Sequence, residues 1–277
     1  MHVFALSVPL VVAPLGARLL GRRADAIRFF AAGLVAAPTF IFHRGAAAAV
    51  WIVPWLALAA VSTGRDIRGV LLARRPLRAE VATAAASAFL AVAAGSLVLS
   101  RVGFTFGRLH EPIVELTAVH YGVAGYAATL LANCAAQAAR PSHRHLAGVA
   151  LAATISSPPI VALGFLTANA LPQVGGAALV TVGVWSTALL TALDARPRSA
   201  DRMTRLLLTA CAAAPVAPMI LAVTWAAAQH WAIPALDIPA MARIHGSMNA
   251  IGFVGCGLVG YRRLVAAGHR KEAAACS

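Results

Sequence analysis

Among the acidic residues and histidines of this 277-residue chain, Glu115, His120 and His245 are the ones that fall deep inside its long apolar stretches. Taking an ionisable group into hydrocarbon is costly, so each is a candidate for function by default. Glu115 begins a polar stripe. At about 100° per residue, Gly122, Tyr126, Thr129 and Asn133 all return to within about 40° of its direction on a helix. Such a face is expected to look into a bundle or a wet cavity rather than into lipid. His120 lies about 140° from Glu115 on the same wheel, so the two address different neighbours.

His245 opens a second constellation. Asn249, Gly252, Cys256 and Gly260 recur on its side of the helix, polar first and then small. Small residues let another helix approach closely, so Gly252, Cys256 and Gly260 are expected to be packing positions. Three kinds of chemistry suit these residues. Histidine and asparagine can simply hydrogen-bond between helices and fix the packing. Glu115, His120, Tyr126, Asn133, His245 and Asn249 can form a substrate or proton pathway. His120 and His245 can hold a metal or haem, although no H-x-x-x-H or H-E-x-x-H motif supports this.

The elements that position these groups follow from composition. Sixty per cent of the residues are hydrophobic and 12% charged, against about 45–50% and about 25% in soluble domains. A soluble globular enzyme is therefore excluded. Nine apolar spans are read at 3–20, 27–43, 46–63, 81–99, 113–139, 146–166, 175–193, 203–227 and 241–265, each long enough to cross about 30 Å of hydrocarbon. The first begins with no basic stretch ahead of it, which argues against a cleaved signal peptide. Among the acidic residues only Glu115 falls within a span.

The basic residues set the expected orientation. If odd-numbered spans run inward, all 23 Lys and Arg side chains except Arg44, Arg101, Arg108 and Arg243 fall on the cytoplasmic side. Basic loops are retained there. The net charge of +14 is thus a topology signal and a contact surface for anionic lipid heads, not a nucleic-acid footprint. The stretch from Arg65 to Arg78, with Ile67, Val70 and Leu71, is expected as a short amphipathic helix on the inner leaflet. The segment from Arg101 to Pro112, with Phe104 and Phe106, is expected to dip into the outer interface. Pro158 and Pro159 fall mid-span and are expected to break that helix, leaving a packed kink or a substrate-facing element. Cys134, Cys211, Cys256 and Cys276 show no C-x-x-C spacing and read as buried apolar side chains.

The run Leu116-Thr117-Ala118-Val119-His120-Tyr121-Gly122-Val123-Ala124-Gly125-Tyr126 resembles the L-T-A-V-H-F-H-Y-A-G-F signature of the YndJ-like family of bacterial membrane proteins. His245-Gly246-Ser247-Met248-Asn249-Ala250-Ile251-Gly252-Phe253 is similar to that family's H-G-x-x-N-A-x-G-F element. The departure is Gly122, where the family signature has a second histidine. The resemblance implies that His120, His245, Asn249 and Gly252 are motif positions; it implies no mechanism. The chain is therefore expected to be a single integral domain over 1–277, all-α, with nine transmembrane helices. Its N-terminus is expected outside and its C-terminus in the cytoplasm of a bacterium. The function expected is a carrier of a small solute or protons, without a cofactor, through a polar cavity between spans five and nine. An intramembrane enzyme or electron carrier, and a non-catalytic scaffold, stand as alternatives.

Overall fold

The computed structural model describes residues 2–75, 77–105, 110–199 and 201–275. Phe106, Arg108 and Cys276 lie outside the described residues. Within them the chain is helical and contains no strand. The helices are α1 (His2–Leu19), α2 (Arg23–Ala36, followed by a 3-10 turn at Ala37–Phe40), α3 (Ala46–Leu72) and α4 (Arg78–Val102). Next comes α5, whose pieces Ile113–His120, Tyr121–Ala127 and Ala128–Ala138 run on without interruption. Then follow α6 (Pro141–Thr167), α7 (Ala170–Arg198), α8 (Arg202–Ala228) and α9 (Ile238–Gly268).

Seven of these, α1, α3, α4 and α6 to α9, are long and apolar enough to cross a membrane. The second and fifth expected spans are helical but fall outside that group. α2 carries Arg23, Asp25 and Arg28 in its first two turns. α5 carries Glu115, His120, Tyr121, Tyr126 and Asn133, whose polarity offsets its alanines and leucines. Its burial explains how so polar a helix is stable here: Leu130, Leu131, Ala132 and Thr129 are all at most 1% exposed. It is the centre of the bundle.

Left-handed glycines stop α1 and α4, at Gly21 (φ 74°) and Gly103 (φ 83°), a conformation open to glycine without a Cβ clash. Two expectations about helix ends are corrected. Arg65 to Leu72 do not lie on the bilayer surface as a separate helix; they continue α3. Ion pairs make this extension possible. Arg22, just before α2, grips Asp66 with two bonds of 2.8 Å, and Arg65 reaches Asp25 at 2.7 Å. Charges that a free amphipathic helix would give to water are neutralised by a neighbouring helix instead.

The second correction concerns Pro158 and Pro159. α6 runs unbroken through both. Each proline removes one backbone donor and leaves the carbonyl four residues back without its helical partner. For Pro158 that is the Thr154 carbonyl, which accepts from Ser157 Oγ at 3.5 Å; Tyr121 of α5 separately donates to the Pro158 carbonyl at 3.3 Å and ties α5 to α6. α6 and α7 form a close hairpin because glycine permits it. A Cβ at Gly183 would stand 2.8 Å from the backbone nitrogen of Thr154, and one at Gly164 would stand 2.4 Å from that of Gln173.

Candidate functional site

Glu115 faces α1. Its side chain is buried, and its Oε1 lies 3.1 Å from Nδ1 of His2. Nearly two turns on, Gly122 meets the same helix: a Cβ there would come within 2.5 Å of Val8 Cγ1. Tyr126 then sends its hydroxyl to the Ala13 carbonyl at 3.4 Å, its ring lying where a Cβ on Gly16 would stand. Asn133 ends the stripe on α4, donating to the Ala79 carbonyl at 3.4 Å. The stripe is thus a seam holding α1 and α4 to α5. Its turn from one neighbour to the other follows from the π-helical segment Tyr121–Ala127, whose wider turns rotate everything beyond it relative to an ideal α-helix.

His120 points elsewhere, into a cavity of about 420 Å³ walled chiefly by α5, α6, α7, α8 and α9. The cavity reaches from the helix ends at Ile113, Leu166 and Ile238 down to Val184 and Phe253. Its lining is mostly aliphatic and aromatic, with Phe165, Trp225 and Met219 prominent; the polar cavity expected from the sequence is instead an apolar one with a few polar groups. Those groups are His120, His245, Asn249, Tyr121, Thr117 and Gln173. No Asp, Glu, Lys or Arg among the described residues lines it.

The polar groups differ in how far they are already engaged. Thr117 donates to the Ile113 carbonyl at 2.8 Å, and Gln173 Oε1 pairs with His230 Nε2 at 2.9 Å. Nδ1 of His245 lies 2.8 Å from the Pro218 carbonyl. A carbonyl only accepts, so Nδ1 carries the proton and Nε2 of the neutral ring is left as an acceptor. Asn249 donates from Nδ2 to the His245 carbonyl at 3.0 Å, which fixes the amide orientation, and its buried Oδ1 has no partner. His120 makes no hydrogen bond to a described residue, and its ring is exposed to the cavity.

The structure therefore brings His120, His245 and Asn249 to one cavity, with Pro158 on its wall, and keeps Glu115, Tyr126 and Asn133 out of it. The segments Tyr121–Ala127 and Met248–Gly255 touch, so α5 and α9 are neighbours. Both are π-helical, and such wide turns recur at functional sites. Gly252 and Gly260 face α8, against Ala214 and Leu208 respectively, while Cys256 is half-buried beside them. Among the described residues no group of three or more His, Cys, Asp or Glu is placed to hold a metal ion.

Sequence reasoning missed several residues. Gln173 and Trp225 line the cavity but belong to no motif; Gln173 precedes the expected seventh span. At the basic end Asp66 and Asp194 are buried acids that the expected spans left just outside. Asp194, its side chain fully buried, takes Arg140 at 2.6 Å and His143 at 2.8 Å. Asp66 also receives the Ser87 hydroxyl. Arg101, expected in a loop, is buried at the opposite end. It donates to the carbonyls of Thr39 and Phe42 at 3.0 and 2.8 Å and lies 5.0 Å over the Phe40 ring. The available signal was the pairing of opposite charges across successive basic loops.

Fold and site together define an all-helical bundle with helices of membrane-spanning character around an apolar, histidine-bearing cavity. The family model described as YndJ-like protein matches residues 2–253, and the chain belongs to that family. No curated protein and no solved structure matches it.

Proposed function

We propose that this protein is a carrier in the bacterial cytoplasmic membrane, taking a small solute into the cavity between α5 and α9. The observation that supports this reading is the open cavity of about 420 Å³ with His120 unpaired on its wall. Pockets that bind small molecules share this character: mostly apolar walls and a few convergent polar groups. In this reading His120, His245 and Asn249 contact the solute. Glu115, Tyr126 and Asn133 hold the helices that frame the site. All nine helices cross the membrane, with the N-terminus outside, so the cavity opens outward and the basic end meets anionic lipid heads. The turn at Ala214–Pro215 in α8 and the π segments of α5 and α9 are the elements placed to flex.

A test needs no knowledge of the solute. In a variant whose native cysteines are replaced, Ala162→Cys puts one thiol on the cavity wall. A carrier alternates, so this thiol reacts with a membrane-impermeant maleimide in both right-side-out and inside-out vesicles. Reaction from one face alone refutes the carrier reading and leaves a static pocket. A second reading, a metal or haem held by His120 and His245, is favoured by the sharing of one cavity by the two rings. Metal content and an absorbance spectrum of the purified protein, beside a His120→Ala/His245→Ala variant, decide it.

A further inference from the structure

Two hydrogen-bond acceptors at the cavity are met by no protein donor, and they specify a ligand. On neutral rings, His245 Nε2 offers only a lone pair, because Nδ1 is committed to the Pro218 carbonyl. Asn249 Oδ1 is a buried acceptor without a donor. The Tyr121 hydroxyl has given its proton to the Pro158 carbonyl and keeps only accepting capacity. His120 contributes one donor and one acceptor, both unused by the protein. His245 Nε2 and Asn249 Oδ1 thus have no protein donor; the spare donors on the wall are the remaining amide hydrogens of Asn249 and of Gln173, whose Oε1 is taken by His230, and the Trp225 indole N–H. A buried acceptor left unmatched costs about 1–3 kcal/mol, so an occupant that donates hydrogen bonds is favoured.

Charge and volume narrow the class further. No ionised side chain among the described residues lines the cavity, and an ion brought there without a partner would bear its desolvation unrelieved. A cavity of 150 Å³ holds benzene, so about 420 Å³ accommodates roughly 17 non-hydrogen atoms. Phe165, Met219, Trp225 and Phe253 supply an apolar bed for most of them. We infer that the solute of this cavity is a neutral, largely hydrocarbon molecule bearing an alcohol or phenol hydroxyl, which lies against His120, His245 and Asn249. This rests on the reading of the cavity as a binding site.

Trp225 provides the readout. The full-length protein in zwitterionic lipid nanodiscs is titrated with 12-bromododecan-1-ol, 1-bromododecane, 12-bromododecanoate and 12-bromododecylammonium at about pH 8, where an ordinary histidine is neutral. Bromine quenches a nearby indole, and the difference between wild type and Trp225→Phe isolates the cavity signal from quenching in the bilayer. The alcohol is expected to quench saturably and more tightly than the alkane by about 2- to 12-fold for each hydrogen bond gained, with both ions weaker still. His120→Phe and Asn249→Leu each reduce that preference. Should Asn249→Leu fail to fold, His120→Phe carries the test, because the ring it replaces bonds to no described residue. Equal binding of alcohol and alkane, or tighter binding of either ion, overturns the head-group inference while leaving a binding cavity. Saturable quenching by none of the four overturns the binding cavity itself, and this inference with it.

Discussion

Gly122 is where the chain departs from its family's signature, and it is also a point where α5 packs closely on α1. A Cβ at this position would stand 2.5 and 2.6 Å from the two methyl carbons of Val8, well inside van der Waals contact. Val8 is 2% exposed and sits on a π-helical turn that includes Pro9, so it has little room to retreat. Gly122→Ala gains about 0.5–1 kcal/mol from helix propensity and loses about 1–3 kcal/mol to overpacking. The expected net result is a loss of up to about 2.5 kcal/mol. Val8→Ala removes the two methyls that a new Cβ would strike, at a cost of about 1–2 kcal/mol for the buried groups deleted. In the double variant the clash is gone and the propensity gain remains. It should therefore be no less stable than Val8→Ala alone, a coupling of about 1–3 kcal/mol. The assay is reversible unfolding of the wild type and the three variants in mixed micelles, followed by circular dichroism. Additivity within about 0.5 kcal/mol would show that Gly122 and Val8 do not meet. The same geometry bears on the family's second histidine: Gly122→His should fold only with a small residue at position 8.

Three further outcomes are expected. Gly183→Leu should destabilise severely, because its Cβ would lie 2.8 Å from the Thr154 backbone nitrogen, whereas Gly148→Leu, with nothing within 4 Å, should change little; similar unfolding curves for the two would contradict the α6–α7 packing. Replacing both Arg140 and His143 by Ala leaves the Asp194 carboxylate buried without its cations, a loss of about 3–5 kcal/mol. Adding Asp194→Asn should recover part of it, and a triple variant no better than the double would argue against an uncompensated charge. Asp201 caps α8, accepting from the Thr204 hydroxyl at 2.6 Å, the Thr204 amide at 2.9 Å and Arg263 at 3.1 Å. These bonds, led by the Thr204 hydroxyl, hold its carboxyl below the usual range. A depressed folded-state pKa contributes stability that is present above the unfolded value near 3.9 and is lost as pH falls through the folded value. Melting curves of wild type and Asp201→Asn should accordingly converge as the pH is lowered below about 4, and a gap independent of pH would exclude the linkage.

Much of the architecture was legible in the residues because hydrophobicity summed over a single helix is a local property. Each of the nine apolar stretches is helical. Two miss membrane-spanning character: α2, a 14-residue α-helix with Arg23, Asp25 and Arg28 at its start, and α5, whose polar stripe is carried in the middle of the bundle. Helix ends were harder to read. α3 and α7 run past their expected limits, where Arg22 and Arg140 from the links before α2 and α6 neutralise Asp66 and Asp194, and a single-segment reading carries no information about such partners. The expected break at Pro158 does not occur: α6 runs on, and the Thr154 carbonyl that this proline leaves open accepts from the Ser157 hydroxyl of the same helix.

By itself the sequence determined that the chain is a helical bundle of membrane character, and that His120, His245 and Glu115 lie along its apolar helices. It also determined that His120 and Glu115 face apart. These follow from composition, span length and the angle between two residues on one regular turn. Only the tertiary structure decided what each face meets: α1 for Glu115 and Tyr126, the cavity for His120, His245 and Asn249. The wheel assumes one rotation per residue, and the π-helical segments of α5 and α9 change that rotation where the two helices touch. The phase of a helical face beyond such a segment is set by packing between helices distant in the chain, and no periodicity within one helix encodes it.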